Sequence, residues 1–263
     1  MPGEAVFIPQ EEAFVATELA RGPWDPGAQH GGAPAALLMR AFERLPAAEG
    51  LQIARVTYEL LRPVPLGRLE ADADVIRGGR RVQLLEGSIR TPDGIEVVRA
   101  RALQVQRADP SAPTTAAVPP PPGPDQGREH EGGEGFNPPY RPMFAPDAIE
   151  IRFVDGVFGR GPSMAWFRLR VPLVAGEEPS PLERLGAAGD FGNGISAELS
   201  WDEFAFINPD LTLYLERPPE GEWIGLQART TIAERGVGLA ESVIFDLGGR
   251  VGRAVQALLV MPR

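Results

Sequence analysis

The chain has 263 residues, 43% hydrophobic and 24% charged, which is enough apolar material for one large or two small globular domains. Its net charge is −10 and all 26 basic residues are arginine, a balance that disfavours duplex nucleic acid, whose binding needs an extended basic surface. The absence of cysteine removes disulfides, thiolate nucleophiles and Cys-ligated metals, and the absence of a long apolar run or a signal-peptide pattern at the start leads to the expectation of a cytoplasmic protein without membrane association.

Residues 13–19 read as a strand and GPWDPGAQHGG, at 22–32, as a turn-rich loop. Residues 33–45 predict a helix: Ala33, Leu37, Leu38, Ala41, Phe42 and Leu45 share one face, with Arg40, Glu43 and Arg44 opposite. Four strands follow at 51–61, 69–76, 82–89 and 95–105, with breaks at Arg62-Pro63, Arg77-Gly78-Gly79 and Pro92-Asp93-Gly94. One helix followed by strands joined by short turns predicts an antiparallel sheet wrapped over that helix. Residues 108–146 carry a proline run and a Gly/Glu run with almost no apolar periodicity. They read as a linker or surface excursion, with proteolysis expected first between Asp109 and Gly135.

After this segment the pattern repeats, with strands at 149–158 and 165–174, a helix at 181–189, and strands at 204–215, 223–232, 237–245 and 250–260. Arg217-Pro218 takes the place of Arg62-Pro63, and Gly248-Gly249 that of Asp93-Gly94. The repeat predicts a duplication of an α+β unit, with an N-terminal unit at 1–107, a linker at 108–146 and a C-terminal unit at 147–263.

The stretch SPLERLGAAGDFGNGIS, at 180–196, holds the first chemical candidate. Ser180 suits an N-cap, Pro181 the first helical position and Glu183 a capping box. Asp190 then falls on or beside the stripe of Leu182, Leu185, Gly186 and Gly189, where an ionised carboxylate is costly unless paired or used. Four glycines in this stretch point to close approach by another backbone or a ligand; the alternative is a solvated turn at the helix end. On the last strand Gly252, Ala254, Gln256, Leu258 and Val260 share a face, with Gln256 the one amide among them, a candidate or simply a core side chain bonded to backbone. Ala102 is its counterpart in the first half. Asn208 precedes Pro209, which places it at a strand start or bulge, as a candidate or as simple turn chemistry. His30, before Gly31-Gly32, sits at a helix N-terminus whose amides favour negative charge; the alternative is a loop histidine that helps the cap. A lone histidine with no second ligand implies no metal site. No dinucleotide fingerprint, GxSxG elbow or P-loop is present.

Taken together, three segments resemble the double-hotdog acyl-CoA thioesterases. WDPGAQHGGAPAALL, from Trp24, resembles the entry into the first hotdog helix; ELLRP, from Glu59, with Arg77-Gly78-Gly79-Arg80 resembles the strand end and turn that follow; and 188–193 with AVQAL, from Ala254, resembles the second-half sites. The resemblance implies a tandem hotdog fold, α+β, each unit an antiparallel sheet around one central helix. It implies thioester hydrolysis by water positioned by Asp190, Asn208 and Gln256, with Asn208 where the family has Thr or Ser. The oxyanion is expected at His30, Gly31 and Gly32, and the CoA phosphates at Arg62, Arg80, Arg81 and Arg217. Acyl-CoA is the expected partner, no cofactor or metal is expected, and a homo-oligomer is expected. A non-catalytic acyl-thioester-binding protein is the alternative, and a hotdog hydratase the third reading.

Overall fold

In a computed structural model of the protein, residues 5–47, 49–107, 118–131 and 140–263 are described. The first half comprises β1 (Phe7–Gln10), β2 (Ala13–Ala16), α1 (Gly32–Glu43), β3 (Leu51–Leu60), β4 (Gly67–Arg77), β5 (Val82–Arg90) and β6 (Glu96–Gln106). The second half comprises β7 (Arg128–Glu129), β8 (Ile149–Val157), β9 (Arg160–Leu169), α2 (Pro181–Gly189), α3 (Gly192–Ser196), β10 (Phe204–Ile207), β11 (Asp210–Leu215), β12 (Ile224–Ile232), β13 (Val237–Asp246) and β14 (Gly249–Pro262). Both predicted long helices are present, and Ser180 caps α2 as its sequence requires, accepting from the Glu183 amide at 3.0 Å. The predicted strand at 204–215 is split at Asn208-Pro209, because proline cannot donate to the ladder.

All strands among the described residues join one antiparallel sheet in the order β1-β2-β4-β5-β6-β3-β11-β14-β13-β12-β9-β8-β7, with β10 added beside β14. The order β1-β2-β4-β5-β6-β3 of the first half is repeated by β8-β9-β12-β13-β14-β11, and the two meet at the β3–β11 seam. There Thr57 lies opposite Thr212 with hydroxyls 3.3 Å apart, and each threonine stands equally far before its Arg-Pro break. The seam is therefore a pseudo-two-fold axis, and the architecture is the expected tandem hotdog.

Both helices lie in the concave interior, and α1 is buried along most of its length. They touch at backbone distance: a Cβ on Gly186 would lie 2.8 Å from the Ala36 Cα. Their antiparallel packing brings the start of α1 against the end of α2, and this junction carries the site.

The described part of the segment between the halves runs over the surface but is pinned to it at several points. Residues 108–117 and 132–139, where much of the expected cleavage falls, lie outside the described residues. The part at 118–131 is mostly exposed, with Pro124 and His130 buried, yet it is held in place: Pro122 O accepts from Trp166 Nε1 at 2.8 Å, β7 pairs with β8, and the His130 amide donates to Ile151 O at 2.9 Å. Phe144 is fully buried, and Arg21 of the first half donates to Pro142 O at 3.0 Å. Proline and glycine removed the periodic signal without removing the packing. Among the described residues, no helix is long and apolar enough to cross a membrane.

Candidate active site

Asp190 is the C-cap of α2, and its side chain is only 7% exposed. That end of α2 carries the negative pole of its dipole, an unfavourable place for a carboxylate, but the amide-bearing start of α1 faces it. Asp190 Oδ1 accepts from Asn208 Nδ2 at 2.7 Å and from Gln256 Nε2 at 2.9 Å. Oδ2 lies 3.2 Å from His30 Nδ1. The Gly32 amide is aimed at the same pair, donating to His30 Nδ1 at 3.1 Å and also reaching the Asp190 carboxylate. A Cβ on Gly31 would lie 2.7 Å from Asp190 Oδ2, so the contact needs glycine there.

Burial dominates the electrostatics. It pushes the Asp190 carboxyl up to about 7, against the lowering effect of its hydrogen bonds to Asn208, Gly32 and Gln256. It pushes the His30 imidazole down to about 4. The ring is packed between Phe191, stacked at 4.3 Å, and Phe144 at 5.3 Å.

The structure brings the three predicted residues Asp190, Asn208 and Gln256 together from a helix end, a strand break and the last strand. The period-2 face of β14 is buried at all five expected positions, with Gln256 1% exposed. A Cβ on Gly192 would lie 2.9 Å from Gln256 Oε1, so that glycine admits the amide. Behind Gln256 runs a polar chain that the sequence did not signal. Gln256 Oε1 accepts from the Asn193 amide at 3.4 Å, Asn193 Oδ1 from Thr230 at 3.3 Å, and Thr230 meets the Ser196 hydroxyl at 2.9 Å. Asn193 and Ser196 lie on α3, but Thr230 and Gln256 are distant in sequence and join them only through the fold.

Asp190, Asn208, His30 and Gly31 line a cavity of about 470 Å³ between the halves. Its walls are largely apolar and include Leu61, Met143, Phe158, Trp201 and Phe206. Gln256 and Gly32 are not in the lining and act from behind it. The Gly31 amide has no acceptor among the described residues, whereas that of Gly32 is committed to Asp190 and His30. The oxyanion expectation therefore narrows from three residues to Gly31. The segment between the halves supplies further lining through His130, Arg141 and Met143, none of which the sequence had placed there.

Of the four arginines expected to hold CoA, Arg62 lines the cavity and has no carboxylate partner among the described residues. Arg217 instead forms a two-pronged ion pair with Asp246, at 2.5 and 2.6 Å, and Asp246 is 1% exposed. Its guanidinium is spent on neutralising a buried carboxylate. Arg80 and Arg81 lie in the turn after β4. That strand leaves the cavity side, where Leu66 N donates to Gly27 O at 2.9 Å, and runs 11 residues towards the far end of α1. The turn is therefore about 30 Å from the cavity by strand rise. Residue type suggested these cations, but their direction from the site depends on which strand end they occupy.

The chain matches the family model of the acyl-CoA thioesterase N-terminal domain over residues 20–105 and that of the acyl-CoA thioesterase C-terminal domain over 112–260. No curated protein matches it. Among solved structures it is similar to a conserved protein of unknown function with a hot dog fold from Alicyclobacillus acidocaldarius, with TM-score 0.71, 17% identity, and coverage of 98% of this chain and 95% of that one. It is also similar to the acyl-CoA thioesterase II TesB2 from Mycobacterium marinum, with TM-score 0.64, 16% identity, and coverage of 97% and 94%. At these identities the structures speak for the shared fold, and the family models for the rest. The chain belongs to the acyl-CoA thioesterase family and is a thioester hydrolase.

Proposed function

We propose that the protein hydrolyses an acyl-CoA to the free acid and CoA at the junction of α1 and α2, with Asp190 as the group that drives water activation. The observation that carries this reading is a buried carboxylate poised near neutrality, held by two amides, at an apolar cavity. The acyl group lies along the apolar wall, and its carbonyl oxygen meets the Gly31 amide at the positive end of α1, where negative charge develops. Asn208 and Gln256 fix the carboxylate. Asn208 stands in for a hydroxyl, keeping one donor on Asp190 from the cavity wall. Arg62 at the cavity is the cation for CoA phosphates. In the same reading, 1–107 and 147–263 are the two hotdog units and 108–146 connects them.

The test is an acyl-CoA series of increasing chain length, following thiol release alongside binding by calorimetry. Release of one thiol per substrate supports the reading. Tight binding without thiol release would make the protein a binding module.

A further inference from the structure

We infer that His30 is itself catalytic, its Nε2 taking the proton from the attacking water while Nδ1 passes a proton to Asp190; this rests on the hydrolytic reading above and deepens it. The argument begins with the accepting capacity of Asp190. Its Oδ1 already receives two amide N–H groups, from Asn208 and Gln256. Its Oδ2 faces the Gly32 amide and His30 Nδ1 at 3.2 Å. A carboxylate oxygen accepts about two hydrogen bonds in its plane, so little of Asp190 remains open to a water in the cavity. His30 has one nitrogen engaged with this pair, and its other nitrogen, Nε2, has no partner among the described residues. The ring lines the cavity with 15% exposure and is locked by its stack on Phe191. It is the basic group that both touches Asp190 and reaches the cavity.

The step balances without any further reagent. In the structure Nδ1 accepts from the Gly32 amide and lies 3.2 Å from Asp190 Oδ2; for the reaction it carries the proton instead and donates to ionised Asp190. As water attacks the thioester carbon, its proton moves to Nε2 and the Nδ1 proton moves to Asp190 Oδ2. The carbonyl electrons pass to the oxygen, which the Gly31 amide receives. On collapse the C–S bond breaks, the Nε2 proton goes to the CoA sulfur, and the Asp190 proton returns to Nδ1. The Gly32 amide lies within reach of both Nδ1 and the carboxylate and serves whichever lacks the proton. The burial that raises Asp190 and lowers His30 makes the carboxylate a fitting final holder of that proton.

Two substitutions separate proton transfer from orientation. His30→Asn places an amide near the Nδ1 position, so it can still hold Asp190, but it has nothing at Nε2. His30→Phe keeps the stack on Phe191 and has neither nitrogen. With octanoyl-CoA as the probe substrate and thiol release as the readout, both variants should lose roughly 10²–10⁴-fold in kcat with little change in KM. His30→Ala should regain rate when imidazole is added, which a structural role would not produce. Wild-type kcat in His30→Asn would overturn the inference and leave His30 as a positioning residue. If that variant is active while Asp190→Asn is dead, this step fails and the Asp190 reading stands. No hydrolysis by the wild-type protein would overturn both.

Discussion

At the scale of single residues, Asp190 and His30 are displaced in opposite directions by the same burial, and their effects on stability have opposite signs. Asp190 is raised from 3.8 to about 7, so the folded state holds an extra proton and stability is lost as pH rises between those values. His30 is lowered from 6.5 to about 4, so stability is lost as pH falls between those values. The two windows nearly coincide and the slopes offset. Folding moves a proton from imidazole to carboxylate without changing the count. Activity is not offset, because the reaction needs ionised Asp190: kcat/KM should rise with pH through about 7 and then level off. Asp190→Asn should lower kcat by about 10²–10⁴-fold and hold or raise the Tm above pH 7, where a buried charge has been removed. It should also expose the His30 slope, so its Tm falls more steeply than wild type below pH 6.5, while Glu183, raised to about 7 by burial, acts alike in both proteins. Melting curves and pH–rate profiles of the two proteins check all three statements. The arginines separate as cleanly. Arg62→Ala should raise the KM for acyl-CoA, whereas Arg217→Ala should leave KM unchanged and lower the Tm by stranding Asp246, at a cost of about 3 kcal/mol.

At the scale of elements, the helices and most strands could be read because their signals are local. The cap at Ser180, the apolar face of α1 and the period-2 face of β14 all depend on near neighbours in sequence. The Asp190–His30 contact carries no such signal, since it exists only because α1 and α2 pack antiparallel across the two halves. The split of β10 from β11 at Pro209 was half legible, as a break whose consequence was to aim Asn208 at Asp190. The fit of α1 against α2 is set by glycine. Gly186→Ala would gain roughly 1 kcal/mol of helix propensity but would press a methyl 2.8 Å from the Ala36 Cα. Overpacking at a backbone contact costs about 1–3 kcal/mol, so the strain wins. The Tm should fall, and kcat should fall with it, because any separation of the helices lengthens the His30–Asp190 contact on which the site depends. A variant with raised Tm and intact turnover would show that the helices have slack at this point.

At the scale of the molecule, the pseudo-two-fold axis at Thr57 and Thr212 relates the junction at the end of α2 to one at the end of α1. The duplication was visible in the sequence from the paired Arg-Pro breaks, but not that one junction would keep its chemistry and the other lose it. At the second junction Ser180 Oγ donates to Glu43 at 2.5 Å, and Glu177 takes Arg40 and Arg44, each at 2.7 Å. Ala102 stands where the active junction has Gln256, so a carboxylate there lacks an amide to hold it. The second junction therefore ties the helices together through ion pairs while the first opens onto the cavity. Glu43→Gln keeps an oxygen to accept from Ser180 and removes a negative charge that raises the neighbouring Glu183. Turnover should be unchanged, and the Tm should hold or rise, because one of two repelling carboxylates is gone. A loss of more than about tenfold in kcat at unchanged Tm would mean that the second junction also turns over substrate, and that the chain has two working sites.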